Sequence, residues 1–196
     1  MRVVAALLSA VAVVALSACS GGGERPLGSV TVASPTAAAS ASGPSTDVLL
    51  PPTLPPAASE HTVAGAEATF RHFLDLYAYA FAAADPDPLR NVCSGESEFC
   101  RQLIADVEEI RGADSKVLNG GFERVMVKGT DMGNPDQIVI RAVVDQNSSV
   151  LVSKVTSRTL RTRGAARDVG MNARMDWDGY RWHIGQANVD PVPSKS

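Results

Sequence analysis

Acid–base chemistry is the first possibility that the sequence raises, because four titratable side chains lie close together in one predicted helix. They are His72, Asp75, Tyr77 and Tyr79. A histidine or aspartate base beside a tyrosine that donates a hydrogen bond is a common arrangement for proton transfer. Tyr77 falls on the apolar face of the helix, where its hydroxyl could reach a pocket, and the other three fall on the flank. The alternative is a structural role, with a core tyrosine bonded to a backbone carbonyl and a solvated flank.

The first of three cysteines, Cys19, stands at the end of an apolar N-terminal run. A basic residue at position 2, a short apolar stretch and small residues after it are typical of a secretory signal, and the stretch is shorter than the about 20 residues of a bilayer span. The tetrapeptide Leu16-Ser17-Ala18-Cys19 resembles the bacterial lipobox, whose cysteine thiolate takes a diacylglyceryl group. We therefore expect residues 1–18 to be a signal peptide and Cys19 to anchor the protein to the outer face of the plasma membrane. The alternative is an ordinary cleaved signal followed by an unrelated cysteine.

The segment that follows, residues 19–61, has the composition of a tether. Between Ser20 and Glu60 it holds seven prolines and five glycines, with mostly alanine, serine, threonine and valine in between. No helical or alternating period runs through it, so it cannot bury enough apolar surface to offset its chain entropy. We expect a disordered tether between the lipid and a folded domain at residues 62–190, with a short tail at 191–196.

The two remaining cysteines, Cys93 and Cys100, form an even pair in a compartment that permits disulfides. The Ser94-Gly95 turn signal between them lets the chain fold back, and closing this loop would stabilise the domain by about 2.5 kcal/mol. A redox pair is the alternative, although the spacing is not that of a C-x-x-C motif. Because two cysteines and three scattered histidines lack zinc-ligand spacing, we expect no metal site and no cofactor.

The periodicities of residues 62–190 predict helices first and strands afterwards. The helices are expected at 62–84, 88–93 and 98–111, with Thr62 and Ser97 as N-caps. Five strands are expected at 122–128, 137–145, 150–160, 169–177 and 180–189. Asp178-Gly179 is a strong hairpin signal before the last of them. Segregated helices and an antiparallel meander indicate an α+β domain.

Two segments carry a resemblance to known proteins. One is the aromatic helix from Gly65 to Phe81, closed by Asp85-Pro86-Asp87-Pro88, and the other is the terminal hairpin from Trp177 to Ile184. This order resembles the nuclear-transport-factor-2-like fold, a curved antiparallel sheet that forms a cone around N-terminal helices. With the lipobox and the cysteine loop, the chain resembles an uncharacterised actinobacterial lipoprotein family, domain of unknown function 6318. The resemblance implies that a reaction would take place in the cone interior, with Tyr77, Asp75 and His72 as candidates, but the fold itself selects no function.

Charge excludes one class of partner and marks two surfaces. With 18 Lys and Arg against 21 Asp and Glu, the chain has a net charge of −3, and we expect no nucleic-acid binding. A predicted basic loop, which could meet an acidic wall polymer or lipid headgroups or be a solvated turn, contains Arg158, Arg161, Arg163 and Arg167. The polar face of the last hairpin contains Asn172, Arg174, Asp176, Arg181 and His183. Such a mixed face is typical of a solvated sheet with cross-strand pairs, and a partner-binding face is the alternative.

These features together predict a lipid-anchored envelope protein whose head binds a small apolar ligand, an envelope protein or a wall polymer without catalysis. Two alternatives stay open: a cone-interior isomerase or hydrolase that uses Tyr77, and a structural accessory to cell-wall assembly. The resemblance also implies a possible homodimer through the sheet. An interior filled by Phe70, Phe73, Tyr77 and Trp182 would favour protein binding through the surface, whereas an open pocket would favour a ligand.

Overall fold

The computed structural model describes residues 49–190, which lie in the second of two units into which the chain divides, Thr46–Ser196. The helices are α1 (Val63–Ala83) and α2 (Glu98–Gly112), with short 3-10 helices at Pro56–Ser59 and Asp87–Asn91. The strands are β1 (Ser115–Leu118), β2 (Phe122–Asp131), β3 (Gln137–Gln146), β4 (Ser149–Ser153), β5 (Thr159–Arg163), β6 (Ala166–Trp177) and β7 (Trp182–Val189). They form two antiparallel sheets, ordered β1-β4-β5 and β2-β3-β6-β7, and α1 packs against strands of both. The predicted α+β class is therefore correct.

Helix α1 begins and ends where its sequence predicts. The Thr62 hydroxyl accepts a hydrogen bond from the Gly65 amide at 3.0 Å, and Ala84 ends the helix in the left-handed conformation. Phe70 and Phe73 are fully buried against the large sheet and the disulfide loop, so this helix supplies much of the core volume. No helix within residues 49–190 is both long and apolar enough to cross a membrane.

The last part of the predicted tether packs against the domain. We call residues 49–61 the strap. Its Glu60 carbonyl accepts a hydrogen bond from the Trp182 indole at 2.8 Å, and its Ala58 carbonyl accepts one from the Thr69 hydroxyl at 3.3 Å. A side chain at Gly65 would place its Cβ 2.0 Å from the Glu60 oxygen, so only glycine permits this approach. The composition of the segment suggested disorder because prolines carry no periodicity, yet these backbone carbonyls have partners. Residues 19–48 of the predicted tether lie outside the described part of the chain.

The strand predictions were correct at the centre of the large sheet and wrong in the small one. The expected strand at 150–160 is divided by a tight turn, in which the Ser153 amide donates to the Arg158 carbonyl and Ser157 adopts a positive φ of 56°. The two halves are β4 and β5, which pair with each other and leave the sheet of β3. The short strand β1, which pairs with β4, was not predicted because four residues are too few to show an alternation.

The disulfide predicted from cysteine parity is present between Cys93 and Cys100, whose Cα atoms lie 5.7 Å apart. It joins the segment after the second 3-10 helix to the first turn of α2. The cap of α2 is Ser97, as predicted, with its hydroxyl accepting from the Cys100 amide. The expected helix at 88–93 is the 3-10 helix Asp87–Asn91. Because the Ile184 amide donates to the Val92 carbonyl, the disulfide loop is also fixed to β7.

Candidate functional site

An open cleft lies between α1, α2 and strands of both sheets. Its larger part, which we call the apolar chamber, has a volume of about 580 Å³ and is walled by Phe73, Phe99, Leu103, Phe122, Met171 and Ala187, among others. The adjoining part, which we call the mouth, has a volume of about 350 Å³ and includes side chains of α2, β4 and β5. The two parts share Tyr77, Phe81, Asp106, Gln146 and Arg163. The large core aromatics therefore leave space beside α1, and the cleft is the candidate site.

Tyr77 stands at the boundary between the chamber and the mouth. Its ring packs between Phe81 and Phe122, with centroid distances of 4.7 and 5.5 Å. Burial raises the pKa of the Tyr77 hydroxyl, and this effect outweighs the opposite influence of Arg163 and of a hydrogen bond with Gln146. The phenol therefore stays protonated at neutral pH and can donate a hydrogen bond into the cleft. Of the two alternatives that the sequence left open for Tyr77, the structure shows the residue lining a cleft.

The other two candidates for catalysis lie elsewhere. His72 faces a separate cavity between the strap and α1, and burial lowers its pKa more than neighbouring Asp75 raises it. Its predicted position on a solvated flank was wrong, because the strap covers that side of α1 and leaves the His72 residue 5% exposed. Asp75 is exposed and lines a shallow groove with Tyr79, whose hydroxyl donates to Asp85 at 3.0 Å. The structure therefore does not bring His72 and Asp75 into the cleft with Tyr77.

Three polar residues of the cleft were missed as site residues: Gln146, Asp106 and Glu109. The alternation of β3 contains a signal for the first of them, because its buried residues have even numbers up to Val144 and the next in the series is Gln146. Asp106 follows the buried Leu103 by three residues on α2 and therefore lies next to it on the same face. Polar residues at the edge of an apolar stripe are common, so neither signal by itself distinguishes a site residue from a solvated one.

The predicted basic loop contributes to the mouth as a strand. Arg161 and Arg163 belong to β5 and line the cleft, whereas Arg167 extends from β6 to Glu123 with a nitrogen–oxygen distance of 2.8 Å. The segment is solvated, as one alternative predicted, but β5 is a strand and not a turn. Within residues 49–190, no three His, Cys, Asp or Glu side chains come close enough to hold a metal ion.

The polar face of the β6–β7 hairpin lies apart from the cleft and is built from local pairs. Arg174 bonds Asp176 at 2.9 Å, and Asn172 reaches Asp190 at 3.3 Å. In the turn, the Asp178 carboxylate accepts from the backbone amides of Tyr180 and Arg181 and lies 2.6 Å from the His183 ring nitrogen. The predicted solvated face is thus observed, but only the Asn172–Asp190 contact joins the two sides of the hairpin, whereas Arg174 and Asp176 lie on the same strand.

The Asp178 cluster gives the hairpin a pH dependence. Burial would raise the pKa of Asp178, but hydrogen bonds from His183 and from the Tyr180 and Arg181 amides outweigh it and hold the pKa at about 2. A carboxylate with a depressed pKa stabilises the fold above its unfolded value near 3.8, and this contribution disappears as pH falls towards 2. We expect Asp178→Asn to be less stable than the native chain at pH 6, and the difference to vanish near pH 2. Urea unfolding at both pH values tests this, and an equal difference at the two would contradict it.

Comparisons with known proteins give a family and a fold. The model of a family described as "Family of unknown function (DUF6318)" matches residues 37–188. No curated protein matches the chain. The crystal structure of the intermembrane space region of chloroplast protein ARC6 is similar over 65% of this chain and 95% of its own, at 14% identity and a TM-score of 0.51. That similarity concerns the fold alone.

Two further structures, both from Novosphingobium aromaticivorans, match at a TM-score of 0.40 and 10% identity. One is a putative scytalone dehydratase, of which 80% is covered by 62% of this chain. The other is an NTF2-like protein with a cystatin-like fold, of which 85% is covered by 67% of this chain.

Proposed function

The chain belongs to DUF6318, a family of unknown function, and from that premise we propose that its domain is the ligand-binding head of a lipid-anchored envelope protein. The domain would be a cone of the nuclear-transport-factor-2-like type, since α1 lies against both sheets and the open space lies between them. The ligand would be small and largely apolar, and no reaction is needed for this role.

The open cleft is the observation that carries the proposal. A chamber of about 580 Å³ falls within the range of about 300–1,000 Å³ that is usual for small-molecule sites. Most of its walls are aromatic and aliphatic. Tyr77, Gln146, Asp106 and Arg163 are the polar residues that it shares with the mouth, and Glu98 and Gln102 of α2 line it as well. Apolar walls with a small number of placed polar groups are typical of sites that bind a ligand and orient it.

The anchor is proposed from the N-terminal sequence. Cys19 lies outside the described residues, and the support for its lipidation is the apolar run and the lipobox tetrapeptide. Stable membrane attachment takes two acyl chains or an equivalent second signal, and a diacylglyceryl cysteine supplies two. A head that is held at the membrane in this way is suited to ligands that partition between membrane and wall.

A cavity-filling substitution tests the binding function. Ala187→Phe would place a ring in the apolar chamber from β7, whereas Ala113→Phe adds the same ring at an exposed position after α2 and serves as the matched control. We expect the native chain and the control to bind the neutral fluorescent probe N-phenyl-1-naphthylamine saturably. Ala187→Phe should weaken this binding by about tenfold, or about 1.4 kcal/mol, because the added ring occupies space that the probe would fill. Absence of saturable binding by the native chain would overturn the proposal.

An enzyme in the same cleft is the second candidate, and the protonated Tyr77 hydroxyl beside Gln146 favours it. A neutral phenol can stabilise a developing oxyanion, but the base would have to be one of the α2 carboxylates that line the cleft, Glu98, Asp106 or Glu109, since His72 and Asp75 face other surfaces. Mass spectrometry of bound ligands, with native and Tyr77→Phe chains side by side, separates the candidates. A product formed by the native chain alone would favour the enzyme, and an unchanged ligand in both would favour the binding head.

A further inference from the structure

The charged side chains at the mouth of the cleft are sorted by sign. Asp106 and Glu109 come from α2, and Arg161 and Arg163 come from β5. Residues three apart in a helix share a face, and residues two apart in a strand point to the same side, so each pair acts from one wall. The mouth therefore has an acidic wall and a basic wall on different elements.

These charges do not neutralise one another. Other surface arginines have carboxylate partners, such as Arg167 with Glu123 at 2.8 Å and Arg174 with Asp176 at 2.9 Å. By contrast, among residues 49–190 neither Arg161 nor Arg163 forms an ion pair or a hydrogen bond through its side chain. Guanidinium groups match the oxygens of phosphate and carboxylate groups in two-point contacts. The basic wall is therefore open to an anion.

The acidic wall is open to a cation in the same sense. Asp106 accepts a hydrogen bond from the Gln102 amide at 2.7 Å, which leaves its charge uncompensated, and Glu109 pairs with no cation in the described part of the chain. An anionic group alone at this mouth would face both carboxylates, and a cationic group alone would face both arginines. A headgroup that carries both charges meets a partner on each side.

The space beside the mouth suits an apolar chain. The apolar chamber adjoins the mouth, and Tyr77, Gln146, Asp106 and Arg163 stand where the two join. In an acyl glycerol, an ester and a hydroxyl lie between the chain and the headgroup, at the level of the neutral Tyr77 and Gln146 side chains. The acyl chain would therefore lie against the apolar walls, and the linker and headgroup would lie at the junction and in the mouth, where the neutral and the charged side chains stand.

We infer that the cleft takes a zwitterionic amphiphile, a single-chain phospholipid of the lysophosphatidylethanolamine kind. Its acyl chain occupies the apolar chamber, its phosphate faces Arg161 and Arg163, and its ammonium group faces Asp106 and Glu109. This inference rests on the proposed binding function and adds the chemical class of the ligand to it.

Displacement of N-phenyl-1-naphthylamine from the full mature chain tests the class. The competitors share one lauroyl or dodecyl chain and are used below their micelle-forming concentrations: lysophosphatidylethanolamine, lysophosphatidic acid, monolauroylglycerol and dodecylamine. Free phosphoethanolamine, which lacks the chain, shows whether the headgroup alone suffices. We expect lysophosphatidylethanolamine to bind about fivefold more tightly than each of the other three amphiphiles, because ion pairs between exposed charges contribute little. Free phosphoethanolamine should not displace the probe.

Two paired variants assign the walls. In the double variant Arg161→Gln, Arg163→Gln, lysophosphatidylethanolamine should no longer bind more tightly than dodecylamine. In the double variant Asp106→Asn, Glu109→Gln, it should no longer bind more tightly than lysophosphatidic acid. Arg158→Gln, an exposed arginine that does not line the cleft, is the matched control and should change neither comparison. High salt should reduce both differences in affinity in the native chain, because these charges are exposed to solvent.

The outcomes separate the ligand class from the binding function. Equal displacement by all four amphiphiles, or advantages that survive the paired variants, would overturn the zwitterion and leave an apolar binding head. Displacement by free phosphoethanolamine would overturn the amphiphile in favour of a soluble headgroup. If the native chain does not bind the probe at all, the proposed function fails and not merely its ligand class.

Discussion

Replacing Trp182 with alanine is expected to lower the free energy of unfolding by about 3–5 kcal/mol, the usual cost of removing a buried aromatic side chain. Trp182 is 1% exposed, and its ring contacts Trp177 across the hairpin at a centroid distance of 5.3 Å. Its indole nitrogen donates to the Glu60 carbonyl, so the substitution also leaves the strap without this bond. One side chain thus joins the large sheet, the core and the segment before α1.

Two control variants divide this effect into its parts. Trp182→Phe keeps most of the buried ring but removes the indole donor, and should cost about 1–2 kcal/mol. Tyr180→Ala removes an aromatic ring two residues away that is 86% exposed, and should change stability by less than about 0.5 kcal/mol. Urea unfolding followed by circular dichroism measures all three, and a loss below about 1 kcal/mol for Trp182→Ala would contradict the central role of this residue.

The strap should respond to the same substitutions. Glu60 is exposed, so a glutamate-specific protease can reach it once the backbone around it opens. We expect cleavage after Glu60 to be faster in Trp182→Phe than in the native chain, although the rest of the domain stays folded. Equal cleavage rates would mean that the hydrogen bond to Glu60 does not hold the strap.

The sequence allowed the central elements to be predicted because their periods are long. Helix α1 repeats its apolar residues over 21 positions, and β6 buries alternate residues from Val169 to Met175. The same helix and the terminal hairpin carry the resemblance to the fold, and the lipobox and the cysteine loop complete the resemblance to the family. Where an element is short or unperiodic, as with β1 or the strap, nothing in the local pattern distinguishes it from a loop, and only partners distant in sequence determine its structure.

One residue of the site could be proposed from the sequence, but the group of residues that meets in the cleft could not. Tyr77 was a candidate because a hydroxyl on an apolar helix face either reaches a pocket or bonds a backbone carbonyl in the core. Asp106, Gln146 and Arg163 reach the same cleft from α2, β3 and β5, and their convergence depends on the division of the strands into two sheets. Since the expected single strand at 150–160 hid that division, the basic residues of β5 had no predicted neighbour.

Replacing Cys19 with alanine is expected to abolish metabolic labelling by a fatty-acid analogue and to release the protein from the membrane fraction. The thiolate is the nucleophile that takes the lipid, and alanine offers no substitute. Each buried methylene of an acyl chain contributes about 0.8 kcal/mol to membrane binding, so two chains account for nearly all of the attachment. With a net charge of −3, the polypeptide gains no attraction to an anionic membrane surface that could replace them.

The chain supplies its own matched control for this experiment. Cys93 and Cys100 are joined in a disulfide, so a chain with both replaced by serine loses two sulfurs without losing the proposed attachment point. In a bacterial host that lipidates such motifs, this double variant should be labelled and sediment with membranes like the native protein, while Cys19→Ala should be unlabelled and soluble. Label retained in Cys19→Ala would show that the acyl chain sits on another residue. Native protein recovered unlabelled from the medium would mean that the N-terminal run is an ordinary cleaved signal, and the head would then meet its ligand in solution instead of at a membrane.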